Sequence, residues 1–212
     1  MNGFVLAGGQ STRMGRDKAL LEWRGRSLIE HALDRLHMAG TNPCILGVRP
    51  DLERFARVIP DNFSVRGPLG GIEAALSVTG SELNLFLPVD LPFLPVEFLR
   101  WMVQRAQLTQ AAATIPRIKG RPQPLCAIYH RDLLGGIRNS LEEGDGKVIR
   151  VIESSASAAG LRLDLFDAEA MDAAQGGCAP WPRTLPVHCW FQNLNTPQDL
   201  ARAALEQRPG IH

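Results

Sequence analysis

No apolar run in the chain approaches the ~20 residues that a membrane-spanning helix requires, so no membrane segment is expected. Neither sign of charge is in excess. The 23 basic residues stand against 22 acidic ones, a formal net charge of +1, so no global field steers the chain toward nucleic acid or a membrane surface. Any anion site must therefore be local. Cysteine is sparse: Cys44, Cys126, Cys178 and Cys189 are widely spaced and form no Cys-x-x-Cys, and the five histidines make no ligand pattern with them. Structural zinc and a disulfide framework are both unexpected. Two familiar phosphate motifs are missing as well, since neither Gly-x-x-x-x-Gly-Lys-[Ser/Thr] nor Gly-x-Gly-x-x-Gly occurs. Met1-Asn2-Gly3 leads into the first apolar run with no basic segment or cleavage site before it, and the expectation is a cytoplasmic protein.

What is present is the pattern of a compact enzyme. With 212 residues, 45% hydrophobic and 21% charged, the chain can bury one sizeable α/β core, and ~150 residues per domain favours a single domain over residues 1–212. Residues 3–7 (GFVLA) are apolar without alternation, as in a strand covered on both faces of a parallel sheet. Ser27 and Glu30 form a capping box, and Ile29, Ala32, Leu33 and Leu36 follow at helical spacing, which predicts a helix over 28–38. His31 and His37 ride on it without a ligand partner, and neither receives a role. A strand over 43–48, a helix over 51–57, a very short strand at 58–59 and a buried strand over 84–89 come next. This β-α-β alternation predicts a three-layer, doubly wound, mostly parallel sheet that binds ligands beyond the carboxyl ends of its strands.

The densest chemistry lies in residues 6–18, LAGGQSTRMGRDK. Gly8 and Gly9 end the first strand, where glycine permits positive φ and lets successive N–H groups approach one anion. Arg13 and Lys18 add positive charge, so the segment reads as a triphosphate-binding loop; the bland alternative is a strand-to-helix turn with two solvated cations. Asp90 follows an apolar strand directly, and Pro92 and Pro95 stiffen the exit. A carboxylate there points into the crevice and suits Mg²⁺, a hard cation usually held by one or two carboxylates plus substrate phosphates; the competing role is a turn cap. Between them, Gly67-Pro68-Leu69-Gly70-Gly71 opens a helix against which a flat ligand could lie, or simply begins a core helix.

The full pattern LAGG-x-S-x-R-M-G-x-D-K, with VDLPFLP around Asp90, resembles the signature of the small nucleotidyltransferases that make molybdenum dinucleotide cofactors, above all the molybdenum cofactor guanylyltransferases. The resemblance implies the Rossmann-like nucleotidyltransferase fold and transfer of GMP from GTP to molybdenum-molybdopterin with release of pyrophosphate. It implies Arg13, Lys18 and Asp90 as catalytic, with Asp90 as the Mg²⁺ ligand. It places Leu6, Ala7, Gly8, Gly9, Lys18, Asp61, Gly67, Pro68, Leu69 and Asp90 on the nucleotide. On the acceptor side it suggests Arg121, in Arg121-Pro122-Gln123-Pro124-Leu125, with Lys119 nearby as either a phosphate contact or a solvated charge. Asn193 and Asn195, in Asn193-Leu194-Asn195-Thr196-Pro197, match the family's Asn-x-Asn-Thr-Pro and would return from a strand over 190–192 to the crevice. Implied partners are GTP, molybdopterin, other molybdenum cofactor biosynthesis proteins and acceptor molybdoenzymes, with no nucleic acid and no membrane.

Two features depart from that pattern. Gly47 stands where the guanylyltransferases place an Asn near the base, although Leu-Ala-Gly-Gly favours guanine over the Leu-Ala-Ala-Gly of cytidylyltransferase relatives. Residues 154–188, rich in Ala, Ser, Gly and Pro, read as a mobile acceptor lid, as disorder or as a packing appendage. Two other functions stay open: a sister enzyme that uses CTP or another acceptor such as a sugar phosphate, and a non-catalytic nucleotide-binding regulator. A regulator need not keep Arg13, Lys18 and Asp90, whose value lies in the transition state.

Overall fold

A computed structural model describes residues 1–8, 17–63, 67–174, 179–182, 185–194 and 199. In chain order, β1 (Asn2–Leu6) is followed by a 3-10 turn (Lys18–Leu20), the hairpin β2 (Glu22–Trp23) and β3 (Arg26–Ser27), α1 (Leu28–Met38) and β4 (Asn42–Leu46). A second 3-10 turn (Pro50–Leu52), β5 (Val58–Ile59), α2 (Pro68–Val78), β6 (Leu83–Pro88) and α3 (Val96–Thr109) come next. Then follow β7 (Ala113–Ile118), β8 (Arg121–Pro122), β9 (Ala127–His130), a 3-10 turn (Arg131–Leu133), α4 (Leu134–Glu142) and α5 (Val148–Ala158). β10 (Leu163–Asp167), α6 (Ala168–Ala174) and α7 (Val187–Trp190) follow among the described residues.

The apolar runs become strands because both faces of the sheet are covered. Along β1, Phe4 packs with Leu46, Phe86 and Tyr129 on one face, while Val5 packs with Ile45, Leu85 and Leu87 on the other. Successive side chains alternate between two cores, so the sequence has no polar face to alternate with. α1 and α3 cover the Val5 face, and α2, α4 and α5 cover the Phe4 face, which gives three layers. The strand order is β10-β7-β9-β6-β1-β4-β5, with β8 paired to β7. β1 is parallel to β4 and β6, β4 to β5, and β7 to β10, whereas β9 runs antiparallel to both β6 and β7. The chain moves outward from β1 to β4 and β5, then returns to β6 on the other side of β1. That reversal opens a crevice beyond the ends of β1 and β6.

The helix predicted over 28–38 is α1, complete with its Ser27–Glu30 capping box. Two expectations differ. In place of a helix over 51–57 there is a single 3-10 turn at Pro50–Leu52. Leu52 is the one fully buried residue of that stretch, and the Arg57 carbonyl already accepts from the Ile45 N–H of β4, so nothing offsets the cost of nucleating a helix. The strand expected over 190–192 is absent, and Trp190 instead ends α7. Its indole is 1% exposed and lies 5.3 Å from the Phe98 ring, with Nε1 donating to the Leu185 carbonyl. Burial of so large a ring against α3 outweighs extension of a sheet edge.

Within 154–188, the described residues supply the end of α5, then β10 at the sheet edge, then α6. Trp181 is 3% exposed against Phe98, and its Nε1 donates to Asp172 at 2.8 Å. This part of the segment packs on the core.

Candidate active site

β1 and β6 run parallel in register, Leu6 opposite Pro88, so their carboxyl ends finish side by side. The next residues of each chain segment face one cleft of about 950 Å³. It is lined by Gly8 and Lys18 from the chain after β1, by Val89 and Asp90 after β6, by Asn193, and by Gln123, Leu125 and Cys126 before β9. Leu6, Leu46, Gly47, Asp61, Gly67 and Pro68 line the remaining wall.

Lys18 is the first residue of a 3-10 turn whose N-cap is Asp17, with Asp17 Oδ1 accepting from the Ala19 N–H at 3.0 Å. Its ammonium donates to Oδ2 of Asp90, and the two side chains are 22% and 11% exposed. Asp90 is held from behind as well: Val89 continues the ladder to the Leu6 carbonyl at 3.3 Å, and Leu194 N–H donates to the Asp90 carbonyl at 3.1 Å. That last bond brings Asn193 to the cleft wall although no strand leads there.

On the opposite wall, Gly67 caps α2 with φ 62, a left-handed conformation that favours glycine, and Pro68 begins the helix. A Cβ at Gly71 would stand in ordinary contact with Asp61 Oδ1 at 3.4 Å and Leu6 Cδ2 at 3.5 Å, so the first turn of α2 lies close against both. Asp61 Oδ1 is buried and has no hydrogen-bond partner, and burial raises its carboxyl pKa above the ordinary value. Gly47, at φ 121, lies against Gly8: a Cβ there would come within 3.1 Å of Gly8 Cα and 3.3 Å of Gly8 N. The loops after β1 and β4 therefore meet backbone to backbone.

Of the residues expected at the site, Leu6, Gly8, Lys18, Asp61, Gly67, Pro68, Asp90 and Asn193 converge on this cleft. Ala7 and Leu69 have core side chains, 5% and 0% exposed, and the cleft is not lined by them. Arg121 is exposed on β8, one residue from the cleft-lining loop at Gln123 but outside the lining itself, and Lys119 is exposed with its N–H donating to Glu169. Gly9, Arg13 and Asn195 lie outside the described residues.

Three residues at the site were missed in the sequence. Arg49 reaches from the end of β4 to Asp17, Asp51 and the Ala7 carbonyl. A cation just past a strand's carboxyl end was the available signal. Tyr129, the chain's one tyrosine, is buried beneath the loop over 123–126 and donates its hydroxyl to the Pro124 carbonyl at 2.6 Å. Cys126 lines the cleft, but burial pushes its thiol up to about 12, which makes it a protonated wall residue and no thiolate nucleophile.

Among the described residues no group of three or more His, Cys, Asp or Glu could hold a metal ion by itself, and none of their helices is long and apolar enough to cross a membrane. A lone buried carboxylate such as Asp90 fits Mg²⁺ only as a site completed by phosphate oxygens.

The family model for the MobA-like NTP transferase domain matches residues 3–159. A curated relative, molybdenum cofactor guanylyltransferase from Pseudomonas aeruginosa, is 35% identical over 204 residues, covering 93% of this chain and 91% of its own. The crystal structure of molybdopterin-guanine dinucleotide biosynthesis protein A from Archaeoglobus fulgidus superposes with a TM-score of 0.74 at 24% identity, covering 96% of both chains. The 2-C-methyl-D-erythritol 4-phosphate cytidylyltransferase from Thermus thermophilus shares the fold at a TM-score of 0.61 and 16% identity, covering 97% of this chain and 98% of that one.

Proposed function

We propose that this chain, which belongs to the MobA-like NTP transferase family and is a nucleotidyltransferase of molybdenum cofactor biosynthesis, transfers GMP from GTP to molybdopterin and releases pyrophosphate. The observation that carries the reading is the Lys18–Asp90 pair at the end of the cleft, set between the carboxyl ends of β1 and β6. A cation there offsets the charge of two approaching anions, and the carboxylate suits a divalent cation that would add to it.

A phosphate oxygen of the acceptor attacks the α-phosphorus, the bond from that phosphorus to the β-phosphate oxygen breaks, and pyrophosphate leaves. No covalent nucleophile from the protein is needed. Lys18 neutralises the charge that grows on the leaving group, in a cleft partly closed to water, where a fixed cation acts more strongly than in bulk. Asp90 would hold Mg²⁺, which when bound supplies further neutralisation of the phosphate oxygens. Arg13 and the Gly8-Gly9 backbone are assigned to the β- and γ-phosphates by the sequence pattern. The cleft wall at Gln123, Leu125 and Asn193 is left for the acceptor, and alignment of the two anions accounts for much of the rate.

Asp61 supports guanine. A carboxylate only accepts hydrogen bonds, and guanine presents two adjacent N–H donors on one edge. CTP is the second reading, favoured by Gly47, which offers the base no side chain. Cytoplasmic location and traffic with other cofactor-biosynthesis proteins and acceptor molybdoenzymes belong to the same proposal. The test is pyrophosphate release from purified protein with Mg²⁺, molybdate and molybdopterin, run in parallel with GTP, CTP, ATP and UTP. Release with GTP is the expected result; preference for CTP, or none with any nucleotide, would overturn it.

A further inference from the structure

Arg49 lines the cleft beside Gly8 and Gly47, yet its guanidinium is bound to the protein, where it joins two approaches to the cleft. Its side chain is 12% exposed and follows β4 by three residues. Asp51 takes Nε at 3.0 Å and Nη2 at 2.7 Å, a two-point grip that fixes the plane of the guanidinium. Held in that plane, Nη1 donates to the Ala7 carbonyl at 3.3 Å and Nη2 to Oδ2 of Asp17. A guanidinium has five N–H donors, and these bonds occupy four of them inside the protein.

Asp17 is equally committed. Its Oδ1 caps the 3-10 turn at Ala19 N–H while its Oδ2 accepts from Arg49. Lys18 lies between those two anchors, and its ammonium meets Asp90. A three-residue turn has little packing of its own: of Lys18–Leu20, Ala19 alone is buried. Its position relative to β1 is thus set from outside, through Asp17 and Arg49.

We propose that Arg49 is a positioning residue that places Lys18 by tying the Asp17 cap to the end of β1, an inference that rests on Lys18 being the transition-state cation. The fork geometry is essential to that task. An ammonium is a point charge and cannot hold Asp51, Asp17 and the Ala7 carbonyl together, so Arg49→Lys keeps the charge and loses the clamp. A displacement of ~1 Å in a group that acts on the transition state costs ~10²-fold in rate.

The test compares wild type, Arg49→Lys, Arg49→Ala, Asp17→Asn and the Arg49→Ala/Asp17→Asn double variant. Turnover is followed by pyrophosphate release and affinity by calorimetry with Mg²⁺-GTP. Expected is a fall in kcat of about 30- to 100-fold, alike in Arg49→Lys and Arg49→Ala, with Kd within about threefold and the double variant no worse than the worse single one. Near-normal kcat in Arg49→Lys, additive losses in the double variant, or a large loss of affinity at unchanged kcat would overturn the proposal, the last pointing to a direct phosphate contact. A second readout needs no nucleotide: hydrogen exchange at the amides of Ala19, Leu20 and Leu21, which bond to Asp17 and Lys18, should speed about tenfold in Arg49→Lys. Unchanged exchange there refutes the clamp even if GTP proves not to be the substrate, while absence of wild-type turnover with faster exchange counts against the GTP reading alone. Should Arg49→Ala fail to fold, Arg49→Lys and Asp17→Asn carry the comparison.

Discussion

Lys18 and Asp90 are 72 residues apart in the chain, and the Lys18 ammonium donates to the Asp90 carboxylate beyond the carboxyl ends of β1 and β6. Lys18→Ala and Asp90→Asn should each lower turnover by at least ~10²-fold, the usual loss when a group aimed at developing charge is removed. Stability should fall by about 2–3 kcal/mol in Lys18→Ala, which leaves the 11% exposed Asp90 carboxylate without that ammonium, and by less in Asp90→Asn, because the Lys18 side chain is 22% exposed and can be solvated. Steady-state kinetics beside urea unfolding checks both halves, and near-normal turnover in either variant contradicts the assignment.

Asp61 sets binding against stability. Burial raises its carboxyl pKa in the folded chain, so the proton is held more tightly than in the unfolded chain. Stability from this group is complete below the unfolded pKa and is lost as pH rises through the folded one. Asp61→Asn, which carries no charge, should therefore stabilise the ligand-free protein at neutral pH and leave it unchanged well below pH ~4. The same change should weaken GTP binding by about tenfold or more through loss of a charge-assisted bond. Thermal melts at two pH values and calorimetric titration read the two effects.

Gly47→Ala meets two penalties, left-handed backbone at φ 121 and a contact of 3.1 Å with Gly8 Cα. A matched control is Gly40→Ala, at φ 85 with nothing within 4 Å of the added carbon. Both should lose about 1–2 kcal/mol from the backbone, but only Gly47→Ala should displace Gly8 and raise KM for the nucleotide. Equal KM values in the two variants would mean that the glycine contact does not shape the site.

Tyr129→Phe removes the hydroxyl that holds the Pro124 carbonyl at 2.6 Å and keeps the ring among Phe86 and its neighbours. A loss of about 1–2 kcal/mol in stability is expected. Since the loop over 123–126 lines the cleft wall proposed for the acceptor, KM for molybdopterin should rise severalfold while affinity for GTP stays unchanged. A change in GTP affinity of the same size would place this loop at the nucleotide instead.

Glu73 is fully buried in α2, accepting two N–H bonds from Arg138 at 2.9 and 2.6 Å and one from Asn62 at 3.0 Å. Removing Arg138 strands a carboxylate in the core. Arg138→Ala should cost about 2–3 kcal/mol, toward the lower end for broken buried pairs because the Arg138 side chain is 44% exposed. Denaturant unfolding measures it, and a loss below ~0.5 kcal/mol would show that water replaces the arginine.

The chain's local chemistry determined a good deal alone. The unbroken apolar run of β1, the Ser27–Glu30 box before α1 and the glycines at Gly67 and Gly8 each depend on neighbours within a few residues, so periodicity and residue type suffice to read them. Asp90 was legible because its position after a buried strand is itself a local pattern. Only the tertiary structure decided that Trp190 turns into the core as helix, that Arg49 anchors Asp17 beside the local cap at Ala19, and that Gly47 touches Gly8. Each of these depends on partners tens of residues away, brought together by the order in which strands pair and by which face each side chain takes. No spacing along one stretch of chain encodes that order, and it is the reversal of the sheet at β1 that turns separate motifs into one cleft.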